Sequence, residues 1–281
     1  MALPVYSPTQ TDAYAFCPRY WGFYKANLKP RAIEYPEIAA IVGTAVAKGL
    51  ETFYRIRREG DAIDAIAIEQ AALTYADRLR EAALAKGLRF VAGKDQDDWD
   101  SIPDNIVRCL RLHAKRDPFS TCQIVDVESV IEDGSGSRAD LIVRDDFGIL
   151  VVDFKCKLKL RSEWVAKEQH KWRRSWQMHH YTITRGAARF AVVLIAPHTR
   201  EGLKYETVNV HQGYAALWYQ DATALWRERA MWAEQSPIDV AALRGNTSHS
   251  NEYGECAFWS EACSHGLDRS LMNLVQVERV K

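Results

Sequence analysis

The stretch ADLIVRDDFGILVVDFK, residues 139–155, constrains the chain more than any other. Two short runs rich in β-branched residues flank RDDFG, which has the composition of a tight turn, so the segment predicts a β-hairpin. Each run keeps one aspartate, Asp140 in the first and Asp153 in the second. Antiparallel pairing across a turn centred on Asp146 and Phe147 sets Asp140 opposite Asp153, with Cβ atoms about 4.5–5.5 Å apart, which destabilises like charges unless something compensates. Lys155 shares the strand parity of Asp153 and points to the same face. Two carboxylates converging beside one ammonium describe a divalent-cation site with a positioned base or charge stabiliser. A solvated sheet face with an ordinary salt bridge uses the same three residues, and spacing alone does not separate the two readings.

With 281 residues, 47% of them hydrophobic, the chain can bury a core as one large domain or two small ones. It carries no internal repeat and no low-complexity linker, which favours one continuous domain. The first third has helical periodicity: an aromatic-rich amphipathic DAYAFCPRYWGFYK, a long helix after Pro36 ending at Gly60, and a third helix stopping at Gly87. A fourth covers about 103–115, after the acidic KDQDDWDSIPD. From Cys122 the period changes: CQIVDVESVIE, RADLIV and GILVVDF read as three successive strands. A helix over about 162–185, the strands FAVVLIA and KYETVNV, a tryptophan-bearing helix over 212–234 and an irregular tail complete the pattern. Helices, then a β-meander, a helix and further strands predict an α/β or α+β core with helical insertions.

Lys and Arg number 37 against 37 for Asp and Glu, so any anionic partner must be argued from local patches. MALPVYSPTQ has neither a basic n-region nor an apolar h-region, and no run approaches the roughly 20 apolar residues that span a bilayer, so a cytoplasmic location is expected. The six cysteines are then expected as thiols or metal ligands rather than disulfides.

D-x12-D-F-K closing a hairpin resembles the PD-(D/E)XK nuclease superfamily, in particular its RecB-type branch with the CRISPR-adaptation and AddB-like nucleases. Three further elements match in order. GTAVAKGLE, residues 43–51, is similar to the branch's helical motif G-x-x-x-H-x-x-L-E and would make Glu51 a third acidic group near the metal. QMHHY, residues 177–181, matches a Q-x-x-x-Y motif, with Gln177 and Tyr181 at i and i+4 on one helical face. Glu128 matches a frequent V-E element. Ala47 stands where the family usually has a metal-ligating histidine. Read separately, Glu51 is an exposed helical carboxylate and Gln177 and Tyr181 a packing pair.

The resemblance implies a restriction-endonuclease-like core, a central mixed β-sheet flanked by helices, with an N-terminal helical region. It implies one RecB-type nuclease domain over residues 1–281, with a helical insertion at about 60–118 and a cysteine-bearing tail at about 245–281. Asp140, Asp153 and Glu51 would hold Mg²⁺ or Mn²⁺, Lys155 would act on the attacking water, and Gln177 and Tyr181 would position the substrate.

Cys17 near one end of the chain, and Cys256 and Cys263 near the other, resemble the iron-sulfur staple of the same branch. A [4Fe-4S] cluster needs a fourth ligand, for which His249 is available; without a cluster the three cysteines are small buried hydrophobes. Cys109, Cys122 and Cys156 fall inside helix or strand patterns and read as structural. The basic, tryptophan-bearing stretch from Lys155 to Trp176 offers Lys157, Lys159, Lys171, Arg173 and Arg174 to phosphates, or else forms an amphipathic helix with a solvated basic face.

The function expected is metal-dependent DNA hydrolysis, exonucleolytic and in recombination or repair as the resemblance implies, on single-stranded or duplex ends. The rivals are a non-catalytic nuclease-fold DNA-binding protein, motivated by Ala47, and a subunit whose helical insert docks a protein partner. No membrane role is expected.

Overall fold

A computed structural model describes residues 14, 17–25, 28–30, 38–85, 100–130, 138–157, 175–198, 203–209, 212–233, 250–251, 254–255 and 274–276. The chain divides into two compact units. One, from Met1–Glu34, Asp133–Gly136 and Ala216–Lys281, holds helix α1 (Pro18–Lys25), strands β1 (Leu28–Pro30), β7 (Ser250–Asn251), β8 (Gly254–Glu255) and β9 (Leu274–Gln276), and most of helix α6 (Gln212–Ala233). In it β1 pairs antiparallel with β9, near the two ends of the chain. The tail expected to be irregular therefore contributes strands, which at two or three residues are too short to show a period. Its core sets the buried Tyr14 and Trp21 edge to face, with the Arg229 guanidinium over the indole at 4.8 Å.

The other unit, Tyr35–Glu132 and Ser137–Ala215, carries every described site residue except Cys17. It comprises α2 (Ile38–Glu59), α3 (Ala65–Ala85), α4 (Ser101–Lys115), β2 (Gln123–Val130), β3 (Arg138–Asp145), β4 (Gly148–Cys156), α5 (Trp176–Thr184), β5 (Arg189–Ile195) and β6 (Leu203–Asn209). Helix α2 buries Val42, Ala45, Val46, Leu50, Phe53 and Tyr54, the spacing of one helical face. It stops where Gly60 takes φ 80° and its N–H returns to Arg57 O. Asp64 caps α3, its Oδ1 accepting from Ile66 N and Ala67 N. Gly49 marks where three helices meet: a Cβ there would lie 2.7 Å from a Leu110 methyl on α4 and 3.2 Å from the Ala72 methyl on α3. Helix α4 begins two residues before the predicted start, because Pro103 sits in the first turn, where no N–H is required.

The five strands form one mixed sheet in the order β2-β3-β4-β5-β6, with β4 and β5 parallel and the other neighbours antiparallel. Its flanking helices complete the α/β core expected from the sequence. β4 is central and alternates cleanly: Leu150, Val152 and Phe154 pack into the large core with α2, α3 and α4, while Val151 faces the smaller core that contains Met178 and Tyr181 of α5. Asp153 and Lys155 have the parity of Val151 and are therefore delivered to the α5 side. α5 is described only from Trp176, so the part of the expected 162–185 helix before it lies outside the described residues.

Candidate active site

The hairpin turn is as the sequence predicts. Asp145 pairs with Gly148 across Asp146 and Phe147, Gly148 has φ 104°, and Phe147 N–H donates to Asp145 Oδ1 at 2.8 Å. The register that sets Asp140 against Asp153 also holds, from Asp145 and Gly148 to Leu141 and Val152. The paired ladder ends there, one step short of the two aspartates. Beyond that step β3 continues along β2 and β4 continues along β5. The Asp140 carboxylate spans the opening, its Oδ2 accepting the Phe154 N–H at 2.8 Å. The aspartates thus face one another across a divergence of strands, a correction to the simple cross-strand pair expected from the arithmetic.

Asp153 is 1% exposed. Its Oδ2 receives the Lys155 ammonium at 2.7 Å, and its Oδ1 accepts from Gln177 Nε2 at 3.1 Å. The same Gln177 amide reaches the Tyr181 hydroxyl at 3.2 Å, so the i, i+4 pair on α5 becomes a bracket over Asp153. Burial first, and the Asp153 charge second, push the Asp140 carboxyl up to about 8. Burial would lower Lys155, but the charges of Asp153 and Asp140 outweigh it and the ammonium is held more firmly than usual. Tyr181 is pushed up to about 12, chiefly by burial. Lys155 balances Asp153 while Asp140 keeps its proton, and ionising both carboxyl groups leaves the cluster short of positive charge.

Glu51 is placed differently. Its carboxylate closes ion pairs with Lys48 at 2.7 Å and Arg55 at 3.0 Å on its own helix. Among the described residues no three His, Cys, Asp or Glu side chains converge as a ready-made metal-ligand set. The electrostatic neighbour of Glu51 is Glu128, half-buried on β2, whose own carboxyl is raised by burial and then by Glu51. Glu128 falls opposite Asp140 in register, between the pairs Val127 with Leu141 and Ser129 with Ala139, and adds its charge to the field on Asp140. It is the one non-glycine with positive φ among the described residues, at 52°. Arg185, at the end of α5, holds the adjacent segment through Ser129 Oγ and Val130 O. The Glu128 backbone and the Arg185 clamp carry no local sequence signal.

Ala47 lies on α2 and is half-buried. Lys157 is half-buried, its N–H on Ile195 O at 2.8 Å. Lys159, Lys171, Arg173 and Arg174 lie outside the described residues, as do Cys256, Cys263 and His249. Cys17 is a buried thiol whose carbonyl accepts from Trp21 N.

Asp140 and Asp153 fit a hard divalent cation. Both present oxygen, burial and then the Asp153 charge keep Asp140 from ionising without a further cation beside it, and Mg²⁺ is commonly held by one or two carboxylates with water and phosphate oxygens completing its shell.

A protein-family model described as the PD-(D/E)XK nuclease superfamily matches residues 5–241. No curated protein matches the sequence. Among solved structures, one described as "Crystal structure of SSO0001" is 17% identical with a TM-score of 0.24, covering 45% of this chain; the chain spans 60% of that protein's length. Another, "Crystal Structure of LHK-Exo in complex with dAMP", is 11% identical with a TM-score of 0.31, covering 69% of this chain and 91% of that one.

Proposed function

The chain belongs to the PD-(D/E)XK nuclease superfamily, whose members are in general metal-dependent nucleases, and from that premise we propose that it is a Mg²⁺- or Mn²⁺-dependent deoxyribonuclease of the RecB type, an exonuclease acting in recombination or repair. The observation that carries the reading is the convergence of Asp140, Asp153 and Lys155 where β3 and β4 part, under the Gln177 bracket.

Asp140 and Asp153 would hold the cation, and when bound it supplies Lewis acidity at the scissile phosphate and lowers the pKa of a water molecule. The residues of the chain do the rest. Asp140 gives up its proton as the charge beside it is neutralised. Lys155 moves from Asp153 Oδ2 toward the attacking water and the phosphate, where an ammonium in a water-poor site stabilises developing negative charge. Gln177 keeps Asp153 oriented while Lys155 is away, and Tyr181 orients Gln177. Glu51, whose charge is felt by Glu128, would assist in holding the cation directly or through water. Lys157, Lys159, Lys171, Arg173 and Arg174 would follow the DNA backbone, and a [4Fe-4S] cluster on Cys17, Cys256, Cys263 and His249 would staple the chain ends.

The test incubates the purified chain with end-labelled single- and double-stranded DNA and Mn²⁺, beside Asp153→Ala. Mononucleotide release by the native chain, lost in the variant, is the expected result. Cleavage that survives Asp153→Ala overturns the site. DNA binding with no cleavage by either protein favours the second reading, a nuclease fold kept for binding, which Ala47 in place of the expected histidine motivates.

A further inference from the structure

Cys109 and Cys156 lie on the other side of β4 from the carboxylates. Cys109 is fully buried on α4, within the core shared by α2, α3 and α4. Cys156, the last residue of β4, is half-buried and packs against that core beside Gly43, where an added Cβ would stand 3.8 Å from the Cys156 Cβ. Their sulfurs are 3.5 Å apart. The two residues are 47 positions apart in sequence, and nothing local in the sequence pairs them. A disulfide needs about 2.05 Å between sulfurs, so closure requires an approach of about 1.5 Å. That approach draws on rotation of the two side chains and on the backbones that carry them, the end of β4 being itself held to β5 with Cys156 opposite Ile195 and Lys157 N–H on Ile195 O at 2.8 Å.

We propose that Cys109 and Cys156 are an oxidative-modification site, which a peroxide converts to a disulfide joining α4 to the end of the strand that carries Asp153 and Lys155. The part-exposed Cys156 is the entry point. Its thiolate attacks one peroxide oxygen, the O–O bond breaks, and hydroxide leaves to become water. Cys109 sulfur then attacks the sulfur of the Cys156 sulfenic acid, the S–O bond breaks, and the departing oxygen leaves as a second water. Two thiols are oxidised, one peroxide is reduced, and two waters form. Because Lys155 is bonded directly to Cys156, drawing the strand end toward α4 shifts the residue whose ammonium must leave Asp153. This consequence rests on the metal-site reading above; the modification itself does not.

The experiment treats the full chain with hydrogen peroxide, blocks remaining thiols with N-ethylmaleimide and maps non-reduced peptides by mass spectrometry. The expected result is a linked pair containing Cys109 and Cys156, reversed by dithiothreitol and absent from Cys156→Ser. Both thiols alkylated, or Cys156 carried to the sulfinic acid with Cys109 still a thiol, overturns the proposal. Thermal melts with Mn²⁺ then read the coupling. The crosslinked protein should need about fivefold more Mn²⁺ for the same stabilisation, and an unchanged response overturns the coupling. If reduced protein shows no Mn²⁺ response, the metal-site reading fails while the peptide map still decides the thiol pair.

Discussion

The β3–β4 hairpin carries aspartates at both ends and treats them in opposite ways. At the turn, Asp145 is paired with the Arg189 guanidinium, which also lies over the Phe147 ring at 5.5 Å, and this pairing holds the Asp145 carboxyl below the usual range. At the open end, Asp140 and Asp153 share one ammonium, and Asp140 is raised instead of lowered. The turn is electrostatically finished within the chain; the open end is not. Two buried carboxylates with one counter-charge are costly to maintain, and the divalent cation proposed above would supply the missing charge.

The largest contrast is expected in catalysis. Lys155→Ala should lower Mn²⁺-dependent DNA cleavage by about 10²–10³-fold, the scale of removing one preorganised stabiliser of transition-state charge. Arg189→Ala removes a cation of equal charge from the other end of the hairpin and should leave single-turnover rates within about twofold, since it acts on the fold and not on the phosphate. Equal losses in both variants would erase the distinction between the ends.

The pH dependence separates them next. Burial, and then the Asp153 charge, push the Asp140 carboxyl from its ordinary 3.8 up to about 8, so the folded state binds the extra proton. Its contribution to stability is complete below 3.8 and is lost as the pH rises through about 8. Asp140→Asn keeps an oxygen for the Phe154 N–H and removes the charge. Without metal it should melt several degrees above the native chain at pH 9 and lose most of the native Mn²⁺-induced stabilisation. An alkaline melting point no higher than native would mean that Asp140 is not held against its neighbour.

Asp145 titrates with the opposite sign. Its lowered carboxyl adds stability above the ordinary value of 3.8, and that addition fades as the pH falls through the depressed one. Part-exposed pairs of this kind contribute little, so Asp145→Ala should cost about 1 kcal/mol near neutral pH by denaturant titration. The cost should shrink in acid, whereas a constant cost would assign the effect to the turn hydrogen bond to Phe147.

How much of this was legible in the sequence follows from what is local. The hairpin, its register and the side to which Asp153 and Lys155 point depend on alternation and a short turn, and Gln177 with Tyr181 depends on helical spacing. The divergence at Asp140 was hidden, because β4 is held from Leu150 to Cys156 by a parallel partner 39 positions further along, with Asp153 opposite Val192, and that pairing outruns the one with β3, which ends at Val152. The ion pairs of Glu51 were open to reading, since Lys48 and Arg55 sit three and four residues away on the same helix. They compete with the role that the motif suggested for Glu51. The meeting of Cys109 with Cys156, like the Arg185 clamp, depends on tertiary packing that no periodicity announces.

The smallest expected effect concerns where the hairpin's surroundings store strain. At the turn, the left-handed conformation falls to Gly148, which adopts φ 104° at little cost. Opposite Asp140, the left-handed residue is Glu128, at φ 52° in a side chain that is neither glycine nor one of the short polar types that tolerate it. Such residues persist when their surroundings over-determine them, and they concentrate at functional sites. Glu128→Gly should therefore relieve the backbone and raise stability by about 0.5–1 kcal/mol, read as a melting temperature higher by about 1–4 °C for a chain of this size. If the strain is kept for the site, the same variant should need more Mn²⁺ for half-maximal stabilisation. A lower melting temperature would mean that the favourable field of Arg138, Lys48 and Arg55 on Glu128 outweighs the strain, and the open end would then be held together by its side chains.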